Sequence, residues 1–523
     1  MNIKAIILMV AGLFVALWMG LAVGNGDYGT AIAVAGLTVF AILVSVVGKH
    51  YRFEGWAIAI VCACYFVGGK GFAYQRLGAI LFVGEVALVL LLGFHLVRCL
   101  GGKNDVIPRH PITVPLIMFQ IYGFAHLLID RSYFPFFFLM KDVATVYYGL
   151  FFFLVFPPML HKPTREYLLK LLPIISAVAL GILTLFLAVP GLEQKVFYGT
   201  MIRGAPLIMP AIDALIPVCV GFSAFCYFKH LRSSGLWKIM YLLASVLCSA
   251  PLFAQGKAVF YLAFFLFAGA LFLVGHWKLI ITGLLVGLFS TIVLYSLIES
   301  RVIQDSDGRF ESFINEFSSF DIAGIGSGKQ KFAQENVDWR FTWWKMVISD
   351  VMKESPFYGL GLGSDISTEF HANYFQTGVD NTDVLIARYP HNILITILGR
   401  LGIIGIIIFL PICILIVREL WIGMIKLRAS GGEHNPGLAF AWAFVLAGFT
   451  NAFFQSTFEA PYAAIAFWSM LAVLCVMNRQ EQSEEEEMNA DVVETDNEFI
   501  NEGKLVMGSR AVSYTHLTLP TKA

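Results

Sequence analysis

The sequence predicts an all-α fold, a polytopic transmembrane helical bundle of about 12–14 spans with one large extracytoplasmic loop. Of its 523 residues, 58% are hydrophobic and only 14% are charged, and the mean hydropathy is +0.75. Soluble domains carry about 25% charged residues. The apolar residues fall into blocks of about twenty, the length of helix that crosses ~30 Å of hydrocarbon. Equal numbers of acidic and basic residues, 36 of each, give no indication of a nucleic-acid partner.

About fourteen blocks are long enough to be drawn as spans. Each must form a helix, because a backbone in lipid has to satisfy its own hydrogen bonds. The first block is followed by another span rather than by a cleavage site, so we do not interpret it as a removable signal peptide. The predicted spans are 4–23, 30–48, 54–68, 78–98, 112–129, 142–160, 170–190, 206–228, 236–254, 258–275, 278–298, 392–417, 437–454 and 460–477.

Lysine and arginine are more frequent in alternate loops, and this bias predicts the orientation of the chain, since basic loops stay in the cytoplasm. Both termini are then cytoplasmic and the large loop faces outward. The basic loops contain Lys49, Arg52, Arg98, Lys103, Arg109, Lys162, Arg165, Lys170, Lys229, Arg232, Lys238, Arg418, Lys426 and Arg428.

The predicted domain organisation has five parts. An N-terminal transmembrane bundle covers 1–298, the extracytoplasmic loop covers 299–391, and C-terminal transmembrane helices cover 392–478. The acidic segment 479–507 repels itself and is expected to be a disordered cytoplasmic tail. Residues 508–523 lack that character and are typical of a non-native remnant of sequence assembly.

The eight cysteines lie in or beside apolar blocks and none lies in the large loop, which argues against a disulfide framework or a zinc site there. Two acidic clusters of the loop, 305–308 and 380–383, do not complete a cation-ligand set. We therefore expect no metal and no other cofactor.

Within the loop, Asp338 to Ser355 is predicted to form an amphipathic helix. Trp343, Val347 and Val351 recur at four-residue spacing and define its apolar face. Asp338 is a plausible N-cap, and the proline after Ser355 stops the helix. Two roles stay open for this helix: a lid over the bundle, or a lid that also contacts substrate.

The run Pro356-Phe-Tyr-Gly-Leu-Gly-Leu-Gly-Ser364 follows the helix. Its alternating glycines do not have the spacing of a nucleotide-binding loop, and no strand-to-helix context surrounds them. We expect a tight, flexible turn under the helix.

The sharpest local signal is Arg388-Tyr-Pro-His-Asn-Ile393, directly before a long apolar span. Asn392 is suited to cap the new helix, which places His391 at a helix N-terminus. The positive end of the helix dipole favours neutral imidazole, the form that accepts a proton. The alternative is an interfacial histidine that only hydrogen-bonds a loop carbonyl.

Charges inside predicted spans are expensive and therefore informative. Glu85 and Asp213 lie inside spans, and His126 and Glu459 lie near span ends. Glu85 either supports the site by pairing with an arginine or holds a helix–helix contact.

The order Arg340 … Trp344 … Pro356-x-x-Gly-x-Gly … His391-Asn392 … Leu401-Gly-Ile-Ile-Gly405 resembles the signature region of the O-antigen ligase and O-antigen polymerase superfamily. The clear match covers about residues 335 to 410, and a looser match in span pattern extends over most of the chain. These motifs do not separate ligases from polymerases.

The resemblance implies a bundle of the lipid-sugar glycosyltransferase type in the bacterial inner membrane. It further implies transfer of a glycan from an undecaprenyl-diphosphate-linked donor to a lipid or glycan acceptor, such as lipid A-core, without a metal. His391 matches the family histidine that activates the acceptor, and Arg203 matches by position the first of two arginines thought to hold the diphosphate. Lys257 stands where the family usually has the second arginine. It keeps the charge but loses the bidentate fork.

Arg340 and Arg388 are further candidates for diphosphate binding, and their alternative role is pairing with Asp338 or Asp383. Their charge suits a diphosphate leaving group, which becomes more negative as the anomeric bond breaks.

Three other functions stay open. A polysaccharide polymerase of the same superfamily would use the same base and the same anion site. A lipid-linked oligosaccharide flippase would need a central cationic cavity and commonly structural repeats, and no repeating halves are visible in the sequence. A peptidoglycan-type glycosyltransferase would depend on a loop carboxylate rather than on His391.

Overall fold

The computed structural model describes residues 52–73, 83–100, 107–189, 191–199, 201–202, 205–253, 258–273, 275, 330–366, 389–429 and 435–479. The predicted spans 4–23, 30–48 and 278–298 and the acidic tail therefore lie outside the described residues. The described part is almost entirely helical, as the sequence predicts.

The elements are numbered in chain order. The helices are α1 Arg52–Ala73, α2 Val83–Leu100, α3 Thr113–Asp130, α4 Phe136–Tyr147, α5 Leu150–Leu160, α6 Lys162–Ala188, α7 Leu192–Gly199, α8 Ile212–Arg232, α9 Gly235–Leu247, α10 Ala250–Phe253, α11 Ala258–Leu273, α12 Gln330–Glu354, α13 Ile393–Ala429, α14 Pro436–Ala452 and α15 Pro461–Arg479. One short hairpin, β1 Met201–Ile202 and β2 Ala205–Pro206, pairs antiparallel.

Eight helices in the described part are long and apolar enough to cross a membrane, and two shorter apolar helices accompany them. Every predicted span from 54–68 to 258–275 and from 392–417 onward has a matching helix. The prediction of a polytopic all-α membrane protein is confirmed. In two places the helices differ from simple spans: α4 and α5 form one continuous apolar segment, Phe138–Leu160, and α13 runs for 37 residues.

The C-terminal end of α1 contacts the segment before α8 through Gly69 and Met209, and the C-terminal end of α3 contacts the glycine run 356–364, which in turn lies against the first turns of α13. We call this side of the bundle the His391 end. At the opposite end the buried side chain of Arg98, in α2, pairs with Glu54 of α1. Both of these side chains are about 1% exposed, and an ion pair so deep in the protein holds the two helices in one register.

Close helix packing depends on small residues where backbones approach. A Cβ added to Gly221 of α8 would lie 3.2 Å from the carbonyl oxygen of Phe440 in α14. Near the His391 end of the same contact, Asn451 Nδ2 donates to the carbonyl oxygen of Asp213 at 2.8 Å. Helices α8 and α14 are therefore closely packed against each other.

The loop helix α12 starts at Gln330, eight residues before the predicted start, so Asp338 lies inside the helix and the N-cap prediction is wrong. The segment that precedes Asp338 is rich in residues that favour helix, which continues the helix upstream. The helix ends where predicted: Glu354 is its last residue and directly precedes Ser355 and Pro356. The predicted apolar face is buried: Trp343, Val347 and Val351 pack with Ile366 in one cluster.

The glycine run crosses α13 backbone to backbone where that helix is broken. Gly402 has φ 66° inside α13, and Gly359, Gly361 and Gly363 also have positive φ. Leu360 N donates to the carbonyl oxygen of Gly399 at 2.8 Å. A Cβ on Gly402 would lie 2.3 Å from the carbonyl oxygen of Phe357, so only glycine fits this crossing.

Two buried carboxylates hold the glycine run in place. Leu362 N donates to Asp130 Oδ2 at 2.7 Å, and Gly363 N donates to Asp142 Oδ2 at 2.8 Å. Arg400 of α13 lies 3.1 Å from the same oxygen of Asp142. The turn is tight, as predicted, but its amides are bound to the bundle rather than left flexible.

Replacing Gly402 with alanine should destabilise the protein by at least about 1–2 kcal/mol, because the left-handed backbone is strained and the new Cβ meets backbone atoms. Gly181 of α6 is the matched control, since nothing lies within 4 Å of a Cβ there. Gly181→Ala should leave the melting temperature equal or slightly higher. The measurement is thermal unfolding of both variants in one detergent; an unchanged melting temperature for Gly402→Ala would contradict the crossing.

Candidate functional site

His391 sits in the connection that leads into α13, in a conformation unusual for its residue type. Its φ of 55° is the one positive φ among the non-glycine residues that the structure describes. Asn392 Oδ1 accepts from Leu394 N at 3.0 Å and from Ile395 N at 3.3 Å, which confirms the predicted helix cap. Trp344 Nε1 donates to the carbonyl oxygen of Pro390 at 2.6 Å, so the loop helix α12 fixes the approach to His391.

The imidazole of His391 is half-buried and packs against two tryptophans of α12. The ring of Trp339 lies 5.8 Å away at an interplanar angle of 86°, and that of Trp343 lies 6.5 Å away at 75°. The guanidinium of Arg340 lies over the Trp339 ring at 5.3 Å. The helix that covers the bundle thus also supplies a cation beside the histidine.

Three charged groups and one amide, from four separate parts of the chain, act on the imidazole of His391. Arg340 and Lys70 disfavour a positive imidazole, whereas Asp213 and a hydrogen bond from the ring to Gln455 favour it. Burial is the largest effect, and together with Arg340 it lowers the pKa of His391 to about 4. The imidazole is therefore neutral at pH 7, in the predicted direction, but the main cause is burial rather than the helix dipole.

The hydrogen bond to Gln455 favours the protonated imidazole, so the amide oxygen accepts from a ring N–H. Among the described residues, Nδ1 of His391 has no hydrogen-bond partner. The bond to Gln455 is therefore made at Nε2, and the lone pair stays on Nδ1. A neutral imidazole with one oriented N–H and one unpaired lone pair is the form that a general base requires.

Lys70 is placed by a break in α1 that resembles the break in α13. Gly69 has φ 56°, and a Cβ there would lie 2.3 Å from the carbonyl oxygen of Met209. Lys70 N donates to that same oxygen at 2.8 Å. Lys70 and Gln455 are not among the predicted site residues, because neither lies near His391 in the chain. The glycine pair directly before Lys70 is the one local feature of the sequence that indicates a break in α1 there.

Of the other predicted diphosphate ligands, Arg203, Lys257 and Arg388 lie outside the described residues. These three assignments stay predictions.

Glu85 lies apart from His391 in a helix–helix contact. Its Oε1 accepts from the hydroxyl of Tyr147 at 2.6 Å and from that of Tyr148 at 3.2 Å, which joins α2 to the α4–α5 segment. This contact corresponds to the structural alternative for Glu85.

A second buried carboxylate supports the start of α13. Glu459 Oε1 accepts from Thr396 Oγ1 at 2.8 Å, one turn beyond the Asn392 cap. Burial raises the pKa of Glu459 to about 7, against the opposing hydrogen bond from Thr396. Glu459 thereby positions the helix turn that carries His391.

One group in the described part has metal-type ligands, His110, Glu419 and Cys475 at the opposite end, with ligand atoms within 4.8 Å of one another. His110 Nδ1 accepts from Ile112 N at 3.3 Å, which places the ring proton on Nε2, 3.5 Å from Glu419 Oε1. Arg418 bonds that same oxygen at 2.9 Å. Since the ring nitrogen that faces Glu419 carries a proton, we interpret the group as a polar network.

The fold and the site define a polytopic helical membrane protein with a neutral, half-buried histidine and adjacent cations at one end of its bundle. The sequence profile of the O-antigen ligase family matches residues 243–410, which include α12, the glycine run, His391 and the break in α13. Over this region, about a third of its length, the chain is similar to the O-antigen ligase family, which supports a ligase- or polymerase-type glycosyltransferase function. No curated protein matches the chain.

The lowered pKa of His391 makes folding stability depend on pH. The unfolded histidine, with a pKa of about 6.5, binds more protons than the folded one between about pH 6.5 and pH 4, so stability falls as the pH drops through that window. The loss is at most roughly 3 kcal/mol. Thermal unfolding between pH 7.5 and 4.5 should show a smaller decline for His391→Gln than for wild type. Equal declines would show that His391 is not held neutral by the fold.

Proposed function

We propose that this protein is an O-antigen ligase-like glycosyltransferase that moves a glycan from undecaprenyl diphosphate to an acceptor hydroxyl at the outer face of the inner membrane. The observation that carries the proposal is the half-buried, neutral His391, whose Nδ1 has no hydrogen-bond partner among the described residues, under the electrostatic influence of Arg340 and Lys70. A base and cations in one partly buried site suit a hydroxyl nucleophile and an anionic leaving group.

In the proposed reaction the acceptor oxygen attacks the anomeric carbon of the donor glycan. The bond from that carbon to the phosphate oxygen breaks, and undecaprenyl diphosphate leaves with the bonding electron pair. Nδ1 of His391 takes the proton of the acceptor hydroxyl. Arg340 and Lys70 stabilise the negative charge that develops on the diphosphate. No metal takes part, because side-chain cations supply the positive charge.

A pKa of about 4 makes the resting imidazole a weak base, mainly because of burial and secondly because of Arg340. The cations that contribute to the lowered pKa, Arg340 and Lys70, are the ones proposed to bind the diphosphate. When the anion binds, its charge offsets theirs, so the pKa of the imidazole rises by the part that the cations cause. The base is therefore stronger when a donor is in place.

The three candidate cations outside the described residues, Arg203, Lys257 and Arg388, complete the proposed anion site. Their assignment rests on the sequence and on the resemblance. The positive-inside pattern predicts that the His391 end faces outward, as transfer at the outer face requires.

His391→Ala should lower the rate of transfer about 10²–10⁴-fold, the usual contribution of a general base. The assay uses the full-length protein reconstituted in nanodiscs, an undecaprenyl-diphosphate-linked oligosaccharide, EDTA and no nucleotide. His230→Ala is the matched control, because His230 is exposed and its Nδ1 contacts the carbonyl oxygen of Lys238. The mass of the product, a glycosylated acceptor or a lengthened lipid-linked chain, distinguishes ligase from polymerase.

Full activity of His391→Ala would disprove the assignment of the base. If the protein moved a verified donor across the bilayer of vesicles but transferred no glycan to any acceptor, it would be a flippase and not a glycosyltransferase. Loss of transfer in EDTA, restored by a divalent cation, would disprove the metal-independent mechanism.

A further inference from the structure

A cavity with a few polar groups lies at the His391 end, beside the glycine run. Its volume is about 330 Å³, and it is lined by the last turn of α3, the connection after it and the glycine run. Its walls include His126, Asp130, Tyr133 and Tyr358. None of the described residues that act on His391 lines this cavity, so the two sites are separate.

Two buried polar groups of the cavity retain unused hydrogen-bonding capacity. Asp130, with a side chain one-tenth exposed, uses Oδ2 to bind Leu362 N, and Oδ1 has no hydrogen-bond partner among the described residues. Nδ1 of His126 lies 3.4 Å from Asp130 Oδ2 and makes no regular hydrogen bond in the described part of the chain. Buried polar groups are normally satisfied, so this pair is suited to a ligand with hydroxyl groups.

The mouth of the cavity is aromatic. The side chains of Tyr133 and Tyr358 are 75% and 61% exposed and flank the opening. Tyrosines at a helix end of this kind are typical of the level of the lipid headgroups. Their ring faces are flat apolar surfaces on which the C–H face of a sugar ring can pack.

The charges of the residues that line the cavity argue against a phosphate group as its ligand. No lysine or arginine is among the lining residues, and the one ionisable acid, Asp130, repels anions. A neutral polyol fits, because its hydroxyls donate to a carboxylate and its ring packs on tyrosine. The cavity therefore complements the His391 site, where the cations lie.

We propose that this cavity binds a saccharide headgroup of a membrane-anchored acceptor, with Asp130 accepting from sugar hydroxyls and Tyr133 and Tyr358 packing on the ring. The acceptor role rests on the proposed function, whereas saccharide binding does not. The anchored form is favoured because the neighbouring surface of α3, with Leu128 and Ile129 exposed, is apolar and suited to an acyl chain.

The test uses the full-length protein in nanodiscs and a photoreactive alkyl maltoside as the probe. Crosslinks mapped by mass spectrometry are expected in residues 126–134 and 355–361. Tyr358→Ala should weaken probe binding about tenfold, and Tyr358→Phe should retain it, because stacking needs only the ring. Phe136→Ala, an exposed aromatic that does not line the cavity, is the control and should bind the probe as wild type does.

Crosslinks elsewhere, or wild-type binding by Tyr358→Ala, would overturn the site. Free maltose that competes as well as the alkyl maltoside would overturn the anchored ligand. In the transfer assay Tyr358→Ala should raise KM for the acceptor about tenfold and leave kcat and KM for the donor unchanged. His391→Ala should still bind the probe; if wild type binds it but transfers nothing, the proposed function fails while the saccharide site stands.

Discussion

The position of His391 depends on two buried carboxylates that tie the glycine run to the bundle. Asp130 and Asp142 accept hydrogen bonds from successive amides, those of Leu362 and Gly363, and Asp142 also pairs with Arg400 of α13. Burying such charges costs several kcal/mol for each ion unless they are paired. These contacts contribute specificity: the hydrogen bonds to Asp130 and Asp142 fix the glycine run in one register against the break in α13. The first turns of that helix are thereby fixed in one position.

The fixed position of the first turns of α13 holds His391 beside the charged groups that act on it. The first turns of α13 hold Asn392 as cap and Thr396 on the carboxylate of Glu459, so the backbone at His391 keeps its left-handed conformation. The loop helix α12 then packs tryptophan rings against the half-buried imidazole. In this partly buried setting Arg340 acts on the histidine more strongly than it would in solvent. The same reduced exposure to solvent would strengthen its attraction for a diphosphate.

Much of this fold could be predicted because hydrophobic length is a local signal. The spans from 54–68 to 258–275 and from 392–417 to 460–477, the buried face of α12 and the Asn392 cap all follow from residues close in the chain. The start of α12 was misplaced, because a favourable cap at Asp338 does not end a helix whose upstream residues also favour it. Lys70, Gln455, Asp130 and Asp142 were missed as site or anchor residues, because tertiary packing brings them to His391 and to the glycine run from positions far away in the sequence.

The most direct test of the account is a cryo-EM structure of the full-length protein in nanodiscs with undecaprenyl diphosphate bound. The account predicts diphosphate oxygens within about 4 Å of the side-chain nitrogens of Arg340 and Lys70, on the side of the imidazole that Nδ1 of His391 faces. A diphosphate bound at another face of the bundle, away from Arg340 and His391, would contradict the assignment of this site to glycan transfer.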